Sequence, residues 1–368
     1  MGFLMKYLVL IILTLLAFSC ARPRLNRAPA MPPVARETPA MLKGFSALIE
    51  GRSLEIGHNA IPRLLRRDNL LFYITLDGYY YQVNLNTLES EGDIRINEGI
   101  RGTPVMNYPL LFFSTARGNE GMPVYDLKRA RVIREEALGQ SVSSMLLAGD
   151  RLMHCAADGR ITALTTPSLK TAWSVELGQD IVSDALIEGK NLIVGGRDGR
   201  LASYRLRDGQ LNWSIDLPDA FYTAPVLSQK ALYWAAYSGT VYRVNTGTGE
   251  KEQTLPGSVP VYQSPAVNDS LLFVPYGDGR LIAFSQNNGR ALWARQLDGP
   301  FSAPLLLTAN VLYCSQMSEK FYILSLENGT ILHEAKLSGR SLSTPLQWKK
   351  RLFLFLSPGI IQEYKDAQ

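Results

Sequence analysis

Glycine returns along this chain at a fixed interval. Gly159, Gly199, Gly239 and Gly279 stand 40 residues apart, and Gly359 falls on the same grid. A second ladder of Gly209, Gly249, Gly289 and Gly329 keeps the same spacing, and Trp173, Trp213 and Trp293 fall on one such grid, one and then two periods apart. A period of this size means that one small unit has been copied many times. Neighbouring copies must then stack to bury what one copy cannot bury alone.

The copy that begins at Val261 reads VYQSPAV, SLLFVPY, RLIAFSQ and ALWARQL, with breaks of Asn, Asp and Gly between the runs. Each run is short and rich in branched or aromatic residues, as strands are. Each break carries residues that tolerate the positive φ of a tight hairpin. One unit is therefore four short antiparallel strands, A to D, with the first glycine ladder at the B–C hairpins and the second at the C–D hairpins. No stretch after residue 42 has helical periodicity. The expected fold is all-β.

Seven full units run from about Ile61 to Leu337. An eighth, LSTPLQWKKRLFLFLSPGIIQEYKDAQ, has room for three strands only. The segment GFSALIEGRSLEIG, just ahead of the first unit, reads as the missing outer strand. Pairing it with the C-terminal strand closes a ring and leaves no open sheet edge to aggregate. Residues 43–368 are thus expected to form an eight-bladed β-propeller of four-stranded antiparallel blades, closed by an N-terminal strand. The least regular copy spans 97–137 and contains the longer turn RGNEGMP.

Residues 1–20 hold Lys6, then an apolar run to Phe18, then Ser19 and Cys20. The run suits a secretory signal better than a membrane span. A Leu-rich segment ending in a small residue and then Cys resembles the bacterial lipoprotein signal, which implies lipidation of Cys20. Residues 21–42 hold five Pro and four Arg and predict a disordered tether. Its span as a flexible chain is roughly 25 Å. The net charge is +5, of which Lys6, Arg22, Arg24, Arg27 and Arg36 against Glu37 supply +4. The propeller keeps almost none, so there is no footprint for nucleic acid.

The segments AFSQNNGRALW (283–293) and ASYRLRDGQLNW (202–213) resemble the repeat of the PQQ-type propellers, the quinoprotein alcohol dehydrogenase-like family. ALTTPSLKTAW (163–173) is similar, with Leu169 in the place of the glycine. The resemblance implies that each repeat Trp docks between neighbouring blades. It also brings in two kinds of function. Dehydrogenases of the family bind pyrroloquinoline quinone and calcium at the propeller axis, beside a vicinal cysteine pair. Other members are lipoprotein scaffolds of the β-barrel assembly machinery, on the periplasmic side of the Gram-negative outer membrane.

This sequence has no vicinal cysteine pair. Apart from Cys20 it has Cys155 and Cys314, on B strands four units apart, and those lie across the ring from each other, beyond disulfide reach. His58, His154 and His333 fall in the closing strand, blade 3 and blade 7, without metal-ligand spacing. Asp158, Asp198 and Asp278 each head an Asp-Gly hairpin, which accounts for them without calcium. No Gly-x-Ser-x-Gly motif occurs. The expectation is a non-catalytic protein with no cofactor, monomeric, anchored at the outer membrane and engaging an envelope protein, with the β-barrel assembly machinery as the partner the resemblance implies. The joints LGQDIVSD and LPDAFYTAP are short and lack the Leu-x-Leu-Arg and Asp-x-Asp-like segments of the better-known scaffolds. A cell-envelope propeller that binds another protein or a polysaccharide stays open, as does a quinoprotein-type dehydrogenase.

D–A joints and B–C hairpins open on the same side of a propeller. On the 40-residue grid they bring Phe221, Tyr222, Tyr237, Tyr262, Tyr276 and Phe301 to or near one face. Aromatic residues, above all those with a polar tip, are favoured at interfaces. These six are the candidate partner-binding residues; filling the channel mouth or packing between blades is the other place for them.

Overall fold

The computed structural model describes residues 43–368 apart from 96–98, 101, 116–120, 229, 230 and 368. The signal segment, Cys20 and the tether lie outside the described residues. The described residues form eight four-stranded antiparallel sheets and no helix. Seven blades are continuous in sequence, at 65–95, 105–137, 146–176, 186–216, 226–255, 266–296 and 306–336. The eighth takes its A, B and C strands from 346–366.

Its D strand is Leu48–Glu55, paired antiparallel with Ile360–Asp366 from Leu48 opposite Asp366 to Glu55 opposite Ile360. The closing strand is tied sideways as well. Arg52 Nε lies 3.0 Å from a carboxylate oxygen of buried Glu363, and Arg351 Nη1 lies 3.3 Å from the other. Burial pushes the Glu363 carboxyl up, but the hydrogen bonds and charges of the two arginines outweigh it and hold it below its ordinary value. Ahead of the strand, Gly44 N donates to Asn310 Oδ1 (2.6 Å), Phe45 N donates to Tyr313 Oη (2.6 Å) and Gln347 Nε2 donates to Lys43 O (2.7 Å). The chain therefore enters between blades 7 and 8.

There is no single central core. Buried side chains form eight clusters, one at each seam between neighbouring blades. Between blades 3 and 4, for example, Met153, Ile161 and Trp173 meet Leu192, Val194 and Ala202. Each seam is latched where a repeat Trp is present. Trp173 Nε1 donates to Leu206 O (3.0 Å), Trp213 Nε1 to Thr246 O (2.7 Å) and Trp293 Nε1 to Leu326 O (2.9 Å). This is the docking that the family resemblance implied.

The inner strands depart from the sequence reading. Runs of five to eight residues hold for strands C and D and for the B strands other than Leu110–Phe112 of blade 2, but the A strands span only two or three residues, such as Ala266–Val267 and Leu146–Ala148. Near the axis, side chains replace part of the ladder. Ser141 Oγ donates to Cys155 O (2.6 Å) and Ser143 Oγ donates to Ser183 O of the next blade (2.5 Å). His58 also lies past the end of the closing strand, in the joint to blade 1, where Nδ1 sits 2.8 Å from Asp77 Oδ2.

Candidate functional site

The B–C turns and D–A joints share one face, and the backbone binds them together at a fixed step. Ala157 N donates to Gln140 O, Arg197 N to Asp180 O, Tyr237 N to Ala220 O, Gly277 N to Pro260 O, Met317 N to Pro300 O and Ser357 N to Arg340 O. The A–B and C–D turns occupy the opposite face. Within the joint-bearing face, the central channel opens into a cavity of about 190 Å³ whose lining includes Arg63, Thr103, Ser144, Asp184, Tyr222 and Tyr262.

The six aromatic candidates divide into two sets. Phe221, Tyr276 and Phe301 are buried. Phe221 stacks on Trp234 at 3.7 Å between ring centroids, in the seam of blades 4 and 5. Tyr276 packs in the seam of blades 5 and 6, and Phe301 in that of blades 6 and 7. These three are packing residues, which corrects their assignment to the partner-binding set. The grid placed them at the right height in the fold, but it could not tell which way a joint side chain turns.

Tyr222, Tyr237 and Tyr262 are exposed by 50, 44 and 54%. They touch in sequence across two blades. Tyr222 meets Tyr237 edge-on at 5.6 Å, and Tyr237 meets Tyr262 edge-on at 5.9 Å. A hydrogen bond with Tyr237 raises the pKa of the Tyr262 hydroxyl. The joint and turn residues thus make one continuous aromatic ridge on the channel rim. Beside it, Arg197 pairs with Asp180 (2.8 Å) and Asp198 (3.2 Å). Below it, Arg63 Nη1 lies 3.4 Å from Asp184 Oδ2, and Ser144 N donates to Asp184 Oδ1 (2.6 Å).

Sequence reasoning missed Arg63 and Asp184. The signal was present. Asp184 falls on the grid with Ser144, Ala224 and Ser264, and Arg63 on the grid with Thr103, Ser143 and Ser183. A charge at a position otherwise held by uncharged residues marks a channel group, visible once the repeat is aligned on its A strands.

The thiols, His154, Asp158 and Asp278, weighed for other chemistry, are not part of this ridge. Cys155 and Cys314 are buried free thiols, and burial pushes the first up to about 12 and the second higher still. His154 is buried with both ring nitrogens unpartnered. Asp158 and Asp278 each accept a backbone N–H from the residue two further on, at 3.1 and 3.0 Å, as turn residues do. Among the described residues, no group of three or more His, Cys, Asp or Glu is placed to hold a metal ion.

The eight blades, the Trp latches and the aromatic channel mouth define an eight-bladed propeller of the PQQ repeat type. The family model described as outer membrane protein assembly factor BamB matches residues 102–275 and 277–365, most of the chain, and the chain belongs to that family. No curated protein sequence matches it. Among solved structures, it is similar to BamB from Moraxella catarrhalis, with a TM-score of 0.72 and 16% identity over 87% of this chain and 98% of that one. It is also similar to the computationally designed Ika8 protein (TM-score 0.72, 13% identity, 87% and 99% covered). A third similar structure is the quinohemoprotein alcohol dehydrogenase from Comamonas testosteroni (TM-score 0.68, 10% identity, 87% and 76% covered). At these identities the likenesses establish the fold.

Proposed function

We propose that this chain is a non-catalytic docking propeller, lipid-anchored through Cys20 on the periplasmic face of the outer membrane. It assists assembly of outer-membrane β-barrel proteins by holding an envelope protein of the assembly machinery against its aromatic ridge. One observation carries the reading: Tyr222, Tyr237 and Tyr262 are about half exposed and in mutual contact, on the rim of the channel. Tyrosine and arginine dominate the energetic centres of protein interfaces, and rings held by their neighbours lose little entropy on binding. Membership of the BamB family supports the class of partner.

The test is the double substitution Tyr222→Ala with Tyr262→Ala, with capture of barrel-assembly proteins and thermal melting measured on the same preparation. Each truncated anchor is expected to cost on the order of 1–3 kcal/mol of affinity, with the melting transition in place. Capture that survives the change would remove the ridge from the interface. A steep fall in melting temperature would make the rings structural.

A further inference from the structure

The opposite face carries a feature that the fold does not require. Lys349 and Lys350 form the A–B turn of blade 8, and Lys365 and Arg351 follow beside it. With Asp366 these residues line one surface hollow of about 460 Å³, in which four cations meet a single carboxylate. Arg351 and Lys365 stand directly opposite each other on paired strands, and because Arg351 is paired with buried Glu363, the three lysines set the charge that the hollow presents. Lys365 also faces Ile49 of the closing strand, an aliphatic side chain that is 57% exposed. Lys43, where the described chain begins, is exposed and held through its carbonyl by Gln347, two residues before Lys349.

We propose that this hollow is a contact for the anionic headgroups of phospholipids, so that blade 8 rests on the membrane with the A–B and C–D turns facing it. The proposal rests on the lipid-anchor reading of Cys20. The 22 residues between Cys20 and Lys43 carry four Arg against one Glu, and they join the propeller on the face that holds the hollow. An acyl anchor and a basic patch are the two signals that together give stable membrane attachment. Lys and Arg near an anionic surface add to membrane affinity, and the contribution fades within a Debye length. Contact here fixes an orientation that an acyl anchor alone leaves open. It also turns the ridge of Tyr222, Tyr237 and Tyr262, on the other face, away from the bilayer and toward soluble partners.

The full lipidated chain is reconstituted on phosphatidylcholine vesicles, with or without phosphatidylglycerol, and its lysines are acylated and read by mass spectrometry. The expected result is several-fold slower labelling of Lys349, Lys350 and Lys365 on the phosphatidylglycerol vesicles, reversed by high salt. Lys336, on blade 7 near the opposite face, should label equally on both. Lys43, beside the hollow, should also label more slowly on the phosphatidylglycerol vesicles, and the triple variant K349E/K350E/K365E should melt like the parent and lose that difference. Retention on both vesicles with equal labelling overturns the patch while leaving the anchor intact. If the chain washes off both, the anchor reading fails. The patch is then read from low-salt sedimentation with phosphatidylglycerol vesicles, where equal binding of parent and triple variant overturns it. Protection reproduced by inorganic phosphate or by polyglutamate, without vesicles, assigns the hollow to free anions or acidic proteins and overturns the membrane contact.

Discussion

Gly249 answers to two constraints at once. Its φ is +76°, in the region that side chains avoid, and a Cβ there would stand 2.6 Å from the ring of Trp213. Gly209 against Trp173 and Gly329 against Trp293 repeat the arrangement at 2.7 and 2.5 Å. Leu169 shows what the conformation demands without the ring. It occupies the equivalent turn at φ +57°, buried in the seam of blades 2 and 3, so that copy keeps its hairpin without the glycine. Gly249→Ala is expected to cost about 2–4 kcal/mol, combining left-handed strain with overpacking. Gly149→Ala, at φ +63° with open space around the added methyl, should cost about 1 kcal/mol. Chemical denaturation of the two variants separates the ring contact from the backbone term. His154 supplies a pH prediction. Burial, helped by the nearby Arg160, lowers its pKa from 6.5 to about 4. The unfolded chain takes up this proton first, so stability is full above about pH 6.5 and falls as the pH drops toward 4. The loss is about 3 kcal/mol at most. Melting of His154→Leu across this range should lack that part of the acid limb, and at neutral pH it should stay close to the parent because no hydrogen bond is lost. An acid limb identical in both proteins would refute the assignment.

Among elements, the closing strand has the largest consequence. It supplies Phe45 and Leu48 to the seam of blades 7 and 8, its backbone to the edge of Ile360–Asp366, and Arg52 to Glu363. Each buried side chain of this size is worth about 1.5–3 kcal/mol, against a total stability of about 5–15 kcal/mol. A chain lacking residues 43–57 is expected to lose its cooperative melting transition or to aggregate through the exposed edge. Sedimentation and calorimetry would show it, and an unchanged transition would end the closure account. This element was legible because three strands in the last copy and one orphan run ahead of the first make a whole blade. The two-to-three-residue A strands were not legible. Runs such as VYQSPAV have strand composition throughout, yet only Ala266–Val267 pairs regularly, with Val261 bridged alone to Tyr276. Where blades converge on the axis, hydrogen bonds from Ser and Thr side chains to neighbouring blades take over from the ladder.

On the scale of the molecule, the ring separates two faces with different surfaces. One carries a tyrosine ridge beside mixed Arg and Asp pairs, and the other a basic hollow next to the point where the chain enters. The anchor proposed at Cys20 makes its own prediction. Cys20→Ser should move the protein from the membrane fraction to the soluble periplasmic fraction, since acyl chains provide most of the affinity of such an anchor. A variant that still sediments with membranes after a high-salt wash would show that something other than the lipid holds it. Comparing that fraction with and without the charge reversals at Lys349, Lys350 and Lys365 separates the two contributions.

Period and hairpin chemistry are properties of the sequence alone, because a tight turn needs particular residues wherever it occurs and a copied unit must stack on its copies. They determined the eight blades, the borrowed strand and the family. The sites were another matter. Phe221 and Tyr222 are neighbours in one joint, yet the first stacks on Trp234 inside a seam and the second stands half exposed on the rim. Arg63 and Asp184 meet across the channel although 121 positions separate them. Which way a side chain turns, and which distant residues share a cavity, depends on the packing of neighbouring blades, and only the closed ring decides that.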